Sequence, residues 1–367
     1  MTPQTLEIEH LDDLEQHLAA GNTLHGCVVQ SVDIRGRGAE LARAGVKAAI
    51  FLGCLVEPVD EQELRAHGAL VFPRIPELPF NPYRPRLYTA EDLFDTVVAG
   101  GEYADSHDAR IYAWHRAQGA RPSLSATLST ALHDHSMDEA LVDWCHDRRP
   151  EDSIGIMGGH AASRGTDAYR AAARLSGELT RSGRLVMTGG GPGAMEAANL
   201  GAYLAQQPQA LDEAIAVLAR AADFHTDITA WARAMIEVRQ RWEPSGVSVG
   251  IPTWFYGHEP PNGFATLAAK FFSNAIREDT LLQRCRGGIV YLSGAAGTVQ
   301  EIFQAATGNY YTPEGGTTTP MVLVGREQWT ERLPAWPLLQ ALGRDRQMGT
   351  RIHLVDRVEG AAEVLLG

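Results

Sequence analysis

Two segments of this chain share one pattern. Residues 185–196 read LVMTGGGPGAME and residues 290–301 read VYLSGAAGTVQE. Each is a short apolar run suited to a buried strand, then a glycine turn, then a run that can start a helix. Strand, tight turn and helix in that order form the repeating unit of a parallel α/β sheet. Such a turn brings backbone N–H groups and a helix N-terminus up to an anion. Two of these turns, the second with Glu301 one helical turn beyond Thr298, predict a phosphorylated nucleotide as ligand and a reaction performed on it.

The surrounding sequence supplies the rest of such a sheet. Strands are expected at 154–157, 184–187, 247–251, 288–292 and 320–324, and helices at 167–182, 264–284 and 298–306. Pro192 is expected at the first position of the helix after the first turn, where a missing N–H is harmless. The charged stretch 206–243 is longer than an ordinary α/β connection and reads as an inserted helical pair. Upstream, strands at 26–32, 46–52 and 69–72 with a helix at 39–44 predict a smaller α/β domain. A proline-punctuated loop over 73–85 leads to Thr89-Ala-Glu-Asp92, which has capping-box spacing, and an amphipathic helical region is expected over 100–148. The expected division is 1–150 for the smaller domain and 151–367 for the Rossmann-like one, a parallel sheet flanked by helices.

Composition narrows the function classes. Among 367 residues, 45 are acidic and 32 are Lys or Arg, a net charge of −13. That balance argues against nucleic acid as a partner, because backbone binding needs a basic face. An anionic ligand must then be met by local N–H groups and single arginines. Cys27, Cys54, Cys145 and Cys285 form no C-x-x-C pair, so neither a zinc site nor a disulfide framework is expected. The acidic N-terminal stretch lacks the pattern of a signal peptide, and no apolar run nears the ~18 residues of a membrane span. A cytoplasmic protein with no membrane association is the expectation.

Several residues are candidates for chemistry, each with an ordinary alternative. The GGGPG turn is neither G-x-G-x-x-G nor a P-loop, since no lysine follows; it serves either an anion or tight strand–helix packing. Thr298 and Glu301 have the spacing of a capping box, in which case Glu301 bonds backbone and performs no chemistry. Arg277 falls on the 264–284 helix with Lys270 on roughly the same face, and a solvated arginine is its plain alternative. His133-Asp134-His135 reads as a polar helix face rather than a ligand pair, because residues two apart do not share a face. Cys145-His146 is an unconvincing nucleophile–base pair. Arg35 and Arg37, with Arg74, Arg84 and Arg86, fit a solvated loop more readily than an anionic regulator's site. Trp254, Phe255 and Tyr256 fit base stacking and core packing equally well.

Taken together, the GGGPGAMEAAN strand–turn–helix, the Arg277 helix and the G-x-x-G-T-x-x-E turn over 294–301 resemble the Lonely Guy (LOG) family. That family includes cytokinin-activating phosphoribohydrolases and nucleotide 5′-monophosphate nucleosidases, and its members are often misnamed lysine decarboxylases. The resemblance spans about residues 153–330. It implies a Rossmann-like fold and hydrolysis of the N-glycosidic bond of a nucleoside 5′-monophosphate to free base and ribose 5-phosphate. It implies a homodimer or larger homo-oligomer and no cofactor, metal or redox group.

By the same resemblance, Arg277 and Glu301 would be catalytic. Gly189, Gly190, Gly191, Gly193, Gly294, Gly297 and Thr298 would hold phosphate and ribose, helped by Gly158, Gly159 and Ser163 in the loop after the first strand. Met195 would lie beside the base. The chain differs from the family at Ser293-Gly294-Ala295, where Pro-Gly-Gly is usual, at Glu278, where lysine is usual, and at His160, where serine is usual.

The chemistry suits these residue types. Breaking a ribosyl–base bond builds positive charge on the sugar, which a carboxylate stabilises while orienting water. An arginine fixes phosphate or ribose by charged hydrogen bonds. A catalytically silent nucleotide-binding sensor with the same fold is the rival reading. An amino-acid decarboxylase is disfavoured, because no lysine stands in a convincing pyridoxal-phosphate setting.

Overall fold

Apolar runs in the C-terminal two-thirds supply the central strands of a seven-stranded sheet, with shorter or half-buried strands at its edges. The seven are β5 (Ser153–Met157), β6 (Leu185–Thr188), β7 (Ser248–Gly250), β8 (Leu267–Ala268), β9 (Gly288–Tyr291), β10 (Met321–Val324) and β11 (Ile352–Val355). The computed structural model describes residues 6–159, 162–255, 259–313 and 315–367. In it the strand order is β11-β10-β9-β5-β6-β7-β8, every pairing parallel. Strands β5, β9 and β10 are buried at every position, as a parallel sheet covered by helices on both faces requires. The order runs outward in both directions from β5 and β9, so the sheet is doubly wound and Rossmann-like. Its topological switch point, where ligands of such sheets bind, lies between the carboxyl ends of β5 and β9.

The chain forms two compact units, Met1–Arg86 with Gln118–Leu141 and Leu87–Ala117 with Val142–Gly367. This differs from a boundary near 150, and the contacts of residues 87–117 explain why. Tyr88 and Ala268 exchange backbone hydrogen bonds of 2.9 and 2.8 Å at the sheet edge. Asp108, on the helix His107–Ala117, accepts from Lys270 Nζ at 2.5 Å, Trp254 Nε1 at 2.8 Å and, through its other oxygen, Tyr103 Oη at 2.5 Å. A buried lysine needs such a partner, and its partner lies 162 residues earlier in the chain.

The smaller unit is a four-stranded parallel sheet in the order β1-β2-β3-β4: β1 (Glu7–Ile8), β2 (Val28–Gln30), β3 (Ile50–Leu52) and β4 (Leu70–Phe72). Helices Leu11–Ala19, Gly38–Ala44 and Pro58–Ala66 connect them. Leu14, Leu41 and Leu64 from these helices pack with Val29, Phe51 and Val71 in one core. At the start of the second helix, the N–H groups of Gly36 and Gly38 both donate to the buried carboxylate of Asp60, at 2.7 and 2.9 Å. Arg35 is paired with Asp33, and Arg37 with Glu40 and Glu15. The His133-Asp134-His135 expectation is corrected: His133 and Asp134 are buried, with His133 edge-on to Phe80, while His135 is exposed.

Three further expectations about elements are corrected. The helix expected over 264–284 is shorter, Asn274–Arg284, with Ser273 as N-cap. The residues before it are drawn into β8, where Thr266 and Ala269 N–H groups donate to β7 carbonyls. Lys270 therefore is not on the Arg277 helix. Pro192 is not a first helical residue, because the helix is Ala194–Tyr203 and its N-cap is Gly193, at φ +74°. The capping box at Thr298 and Glu301 does not form. The helix begins earlier, at Ala296, so Thr298 lies inside its first turn and Glu301 in its second. The inserted pair is present as Ala210–Leu218 and Ile228–Arg241. No helix among the described residues is long and apolar enough to cross a membrane.

Candidate functional site

Three loops converge at the switch point. The chain leaves β5 at Gly158-Gly159, β6 at the GGGPG turn and β9 at Ser293-Gly294-Ala295, and backbone hydrogen bonds join them. Gly159 N–H donates to the Ser293 carbonyl at 3.0 Å, and Ala194 N–H to the Gly159 carbonyl at 3.3 Å. A side chain on Gly158 would press on Ala194 and Leu292 at once, each 3.0 Å from its Cβ.

The first turn rests on a buried polar network. Thr188 Oγ1 donates to Asn199 Oδ1 at 2.7 Å and accepts from Gly190 N–H at 3.0 Å. Asn199 Nδ2 donates to Ser248 Oγ, while Asn262 Nδ2 donates to both the Gly191 carbonyl and Asn199 Oδ1. A buried network with its members paired this way fixes a single arrangement. Below it, Arg164 and Glu196 form a buried two-pronged pair, 2.9 Å between Nε and Oε2 and 2.5 Å between Nη2 and Oε1. The Arg164 guanidinium also stacks on Trp231 and donates to its carbonyl. This clamp ties the helix Ala194–Tyr203 to the inserted pair. Sequence reading missed it, because its members are 32 residues apart.

The second turn is held by contact. The Cβ of any other residue at Gly294 would lie 2.1 Å from Thr298 Oγ1, so Thr298 can close over the turn only because position 294 is glycine. Gln328 Nε2 donates to the Gly294 carbonyl. Neither N-cap residue, Gly193 before Ala194–Tyr203 nor Ala295 before Ala296–Tyr310, caps its helix through a side chain. Ala194 N–H is taken by the Gly159 carbonyl, but Met195 and Ala296, Gly297 and Thr298 line the cavity, so first turns whose N–H groups lack intrahelical partners form part of its wall.

That cavity has a volume of about 350 Å³. Of the expected site residues, Gly158, Gly159, Gly189, Gly191, Met195, Arg277, Gly297, Thr298 and Glu301 line it. Gly190, Gly193 and Gly294 do not; they shape the turns from behind. Ser163 is exposed and also away from the lining, its carbonyl accepting from Thr166 before the next helix. Thr253, Glu259 and Gln300 line the cavity without having been expected. Thr253 stands just beyond the carboxyl end of β7, and Gln300 one residue before Glu301; both positions offered a signal. Trp254 is core, and Phe255 is exposed. Tyr256 and His160 lie outside the described residues.

Glu301 is 7% exposed, and its carboxylate forms no hydrogen bond among the described residues. Burial first, and the neighbouring Glu278 carboxylate second, push it up to about 8, against the pull of Arg277. Arg277 Nη1 lies 3.1 Å from Glu278 Oε2, and its Nη2 donates to Asn274 Oδ1 at 2.7 Å. Burial also raises Glu278, which Arg277 opposes. Tyr291, on β9, has a buried hydroxyl without a hydrogen-bond partner among the described residues. It is held well above its ordinary range by burial, then by the carboxylate of Glu301. Two N–H-rich helix starts, one guanidinium and a buried carboxylate thus meet around one cavity, a set suited to holding an anion while stabilising a cation a few ångströms away.

No family model and no curated protein matches the chain. Among solved structures, similar ones include a molybdenum cofactor binding protein from the phototrophic bacterium Rippkaea orientalis, at 16% identity and TM-score 0.37 over 58% of this chain and 94% of that one. Another is the molybdenum cofactor carrier protein of Chlamydomonas reinhardtii, at 16% identity and TM-score 0.35 over 59% and 98%. At that distance the site speaks only through its own residues.

Proposed function

We propose that the protein hydrolyses the N-glycosidic bond of a nucleoside 5′-monophosphate, releasing free base and ribose 5-phosphate. The observation that carries this reading is Glu301, a buried carboxylate with no hydrogen bond among the described residues, standing in a cavity between two uncapped helix N-termini. In this reading the 5′-phosphate lies against the glycine turns, and Arg277 binds phosphate or a ribose hydroxyl. Ionised Glu301 stabilises the oxocarbenium-like sugar and orients the attacking water. Met195, beside Gly189 and Gly191, flanks the base. Binding energy at the phosphate positions the bond that breaks. The same reading carries a homodimer or larger assembly in the cytoplasm.

One observation favours the silent nucleotide-binding alternative: Arg277 is already held by Glu278. Incubation with a panel of purine and pyrimidine nucleoside monophosphates, scoring base and ribose 5-phosphate, separates the two. Hydrolysis of at least one member, lost in Glu301→Gln with nucleotide binding retained, is the expected result. Binding without release of any base overturns the enzymatic reading, and so does full turnover in Glu301→Gln.

A further inference from the structure

Glu278 is adjacent to Arg277 on the helix Asn274–Arg284, and it is 3% exposed. It does not line the cavity, yet its Oε2 lies 3.1 Å from the Arg277 guanidinium that does. Its other oxygen, Oε1, is buried without a hydrogen-bond partner. Neighbouring residues on a helix do not ordinarily face each other, so the Arg277–Glu278 contact reflects two side chains turned toward the same buried point.

We infer that Glu278 is a positioning residue of this site: it anchors the Arg277 guanidinium and, as a second buried carboxylate, decides the protonation state of Glu301. This rests on the proposed function for its consequence in turnover, but not for its effect on Glu301.

The physical basis is the imbalance of charge. Two buried carboxylates have one guanidinium nearby, in contact with Glu278 and lining the cavity with Glu301, and ionising both leaves a negative charge without compensation in a poorly solvated place. The direct contact assigns the guanidinium to Glu278, so Glu301 keeps the proton. The other groups facing Glu301 do not reverse this. Arg277, on the Glu278 helix, favours ionisation of Glu301 but is already engaged. From β9, Tyr291 presents a neutral hydroxyl, with Cys285 near it. Glu259, across the cavity, adds a further carboxyl group. With Arg277 balanced by Glu278, a protonated Glu301 lets an anionic phosphate enter without facing an ionised carboxylate at that position.

Carboxyl-¹³C NMR of the full chain, recorded without substrate, tests this directly. In wild type, Glu301 is expected to titrate near pH 8, and the Glu278 signal should show a second inflection at the same pH. In Glu278→Gln the Glu301 midpoint should fall by roughly one pH unit or more, the size of a close like-charge effect. Glu278→Asp, which keeps the charge, should leave it nearly in place. The acid limb of kcat/KM for a hydrolysed nucleotide should move with the midpoint, its position rather than its height being the readout. An unmoved Glu301 midpoint in Glu278→Gln, or a wild-type Glu278 signal blind to Glu301, overturns the inference. If the midpoint moves but neither protein hydrolyses any nucleotide, the inference stands and the proposed function falls. If nucleotide is hydrolysed while neither the midpoint nor the limb moves, the reverse holds.

Discussion

Replacing Glu301 by glutamine should make the protein more stable in alkali while stopping turnover, and the site geometry fixes the direction. Glu301 is held at about 8 against an ordinary 4.5. A group raised in the folded state is stabilising while protonated, and that contribution fades as pH rises. Below about pH 4.5 both states are protonated, and Glu301 adds no pH dependence. Between there and about pH 8 the unfolded chain releases the proton while the native state keeps it, at about 1.4 kcal/mol of native stability per pH unit. By pH 9 the accumulated cost is on the order of 5 kcal/mol.

Glutamine removes this dependence. Its amide is left poorly partnered, at about 1–2 kcal/mol, because Glu301 has no hydrogen bond to inherit among the described residues. The net gain at pH 9 is then roughly 3–4 kcal/mol, against none or a slight loss at pH 4. Urea unfolding of both proteins at pH 4, 7 and 9 measures it. A stability difference that is the same at all three pH values refutes the account of Glu301 as a buried, poorly compensated carboxylate, whatever happens to activity.

Other perturbations test the frame around that residue. Gly294→Ala places a methyl 2.1 Å from Thr298 Oγ1 and 2.6 Å from its Cβ; overpacking of about 1–3 kcal/mol is expected in denaturant melts, relieved only in part when combined with Thr298→Ala, which keeps the Cβ. Lys270→Met strands the buried Asp108 carboxylate and should cost about 3–5 kcal/mol, most of it recovered by adding Asp108→Asn; unchanged melting of the single variant would contradict the buried pair. Arg277→Gln should raise KM for a nucleoside monophosphate far more than for the corresponding nucleoside, since only the former carries the phosphate; equal effects would place Arg277 elsewhere in the reaction.

The strands nearest the switch point were legible in the sequence because burial on both faces leaves apolar runs: SIGIM, LVMT, GIVY and MVLV. The edges were not. β8 has two residues, and its pairing with β7 draws in residues that by themselves read as helix. β1 is equally short, and β11 is only partly buried. At the site, the motif reading named loops that line the cavity but not the division of labour within them. Gly189 and Gly191 face the cavity, whereas Gly190 and Gly193 bend the chain at positive φ, and local spacing does not tell a glycine needed for approach from one needed for curvature. Glu301 was ambiguous for a different reason. A shift of two residues in where a helix begins converts a capping carboxylate into a free one, and that start is set by how Ser293-Gly294-Ala295 folds against Thr298. The Lys270–Asp108 and Arg164–Glu196 pairs join distant segments, which no local pattern announces.

In the smaller unit, the N–H groups of Gly36 and Gly38 close on the carboxylate of Asp60, an anion the chain brings with it. At the switch point of the larger unit, the corresponding donors carry no side-chain cap. Mass action distinguishes the two: a dissociable anion contributes stability in proportion to the logarithm of its concentration, whereas a tethered one contributes a constant amount. Phosphate in the medium should therefore stiffen the larger unit alone, seen as slowed amide exchange around Ala296–Thr298 with the Gly36–Gly38 loop unaffected. The smaller unit has exchanged responsiveness to solution composition for permanence.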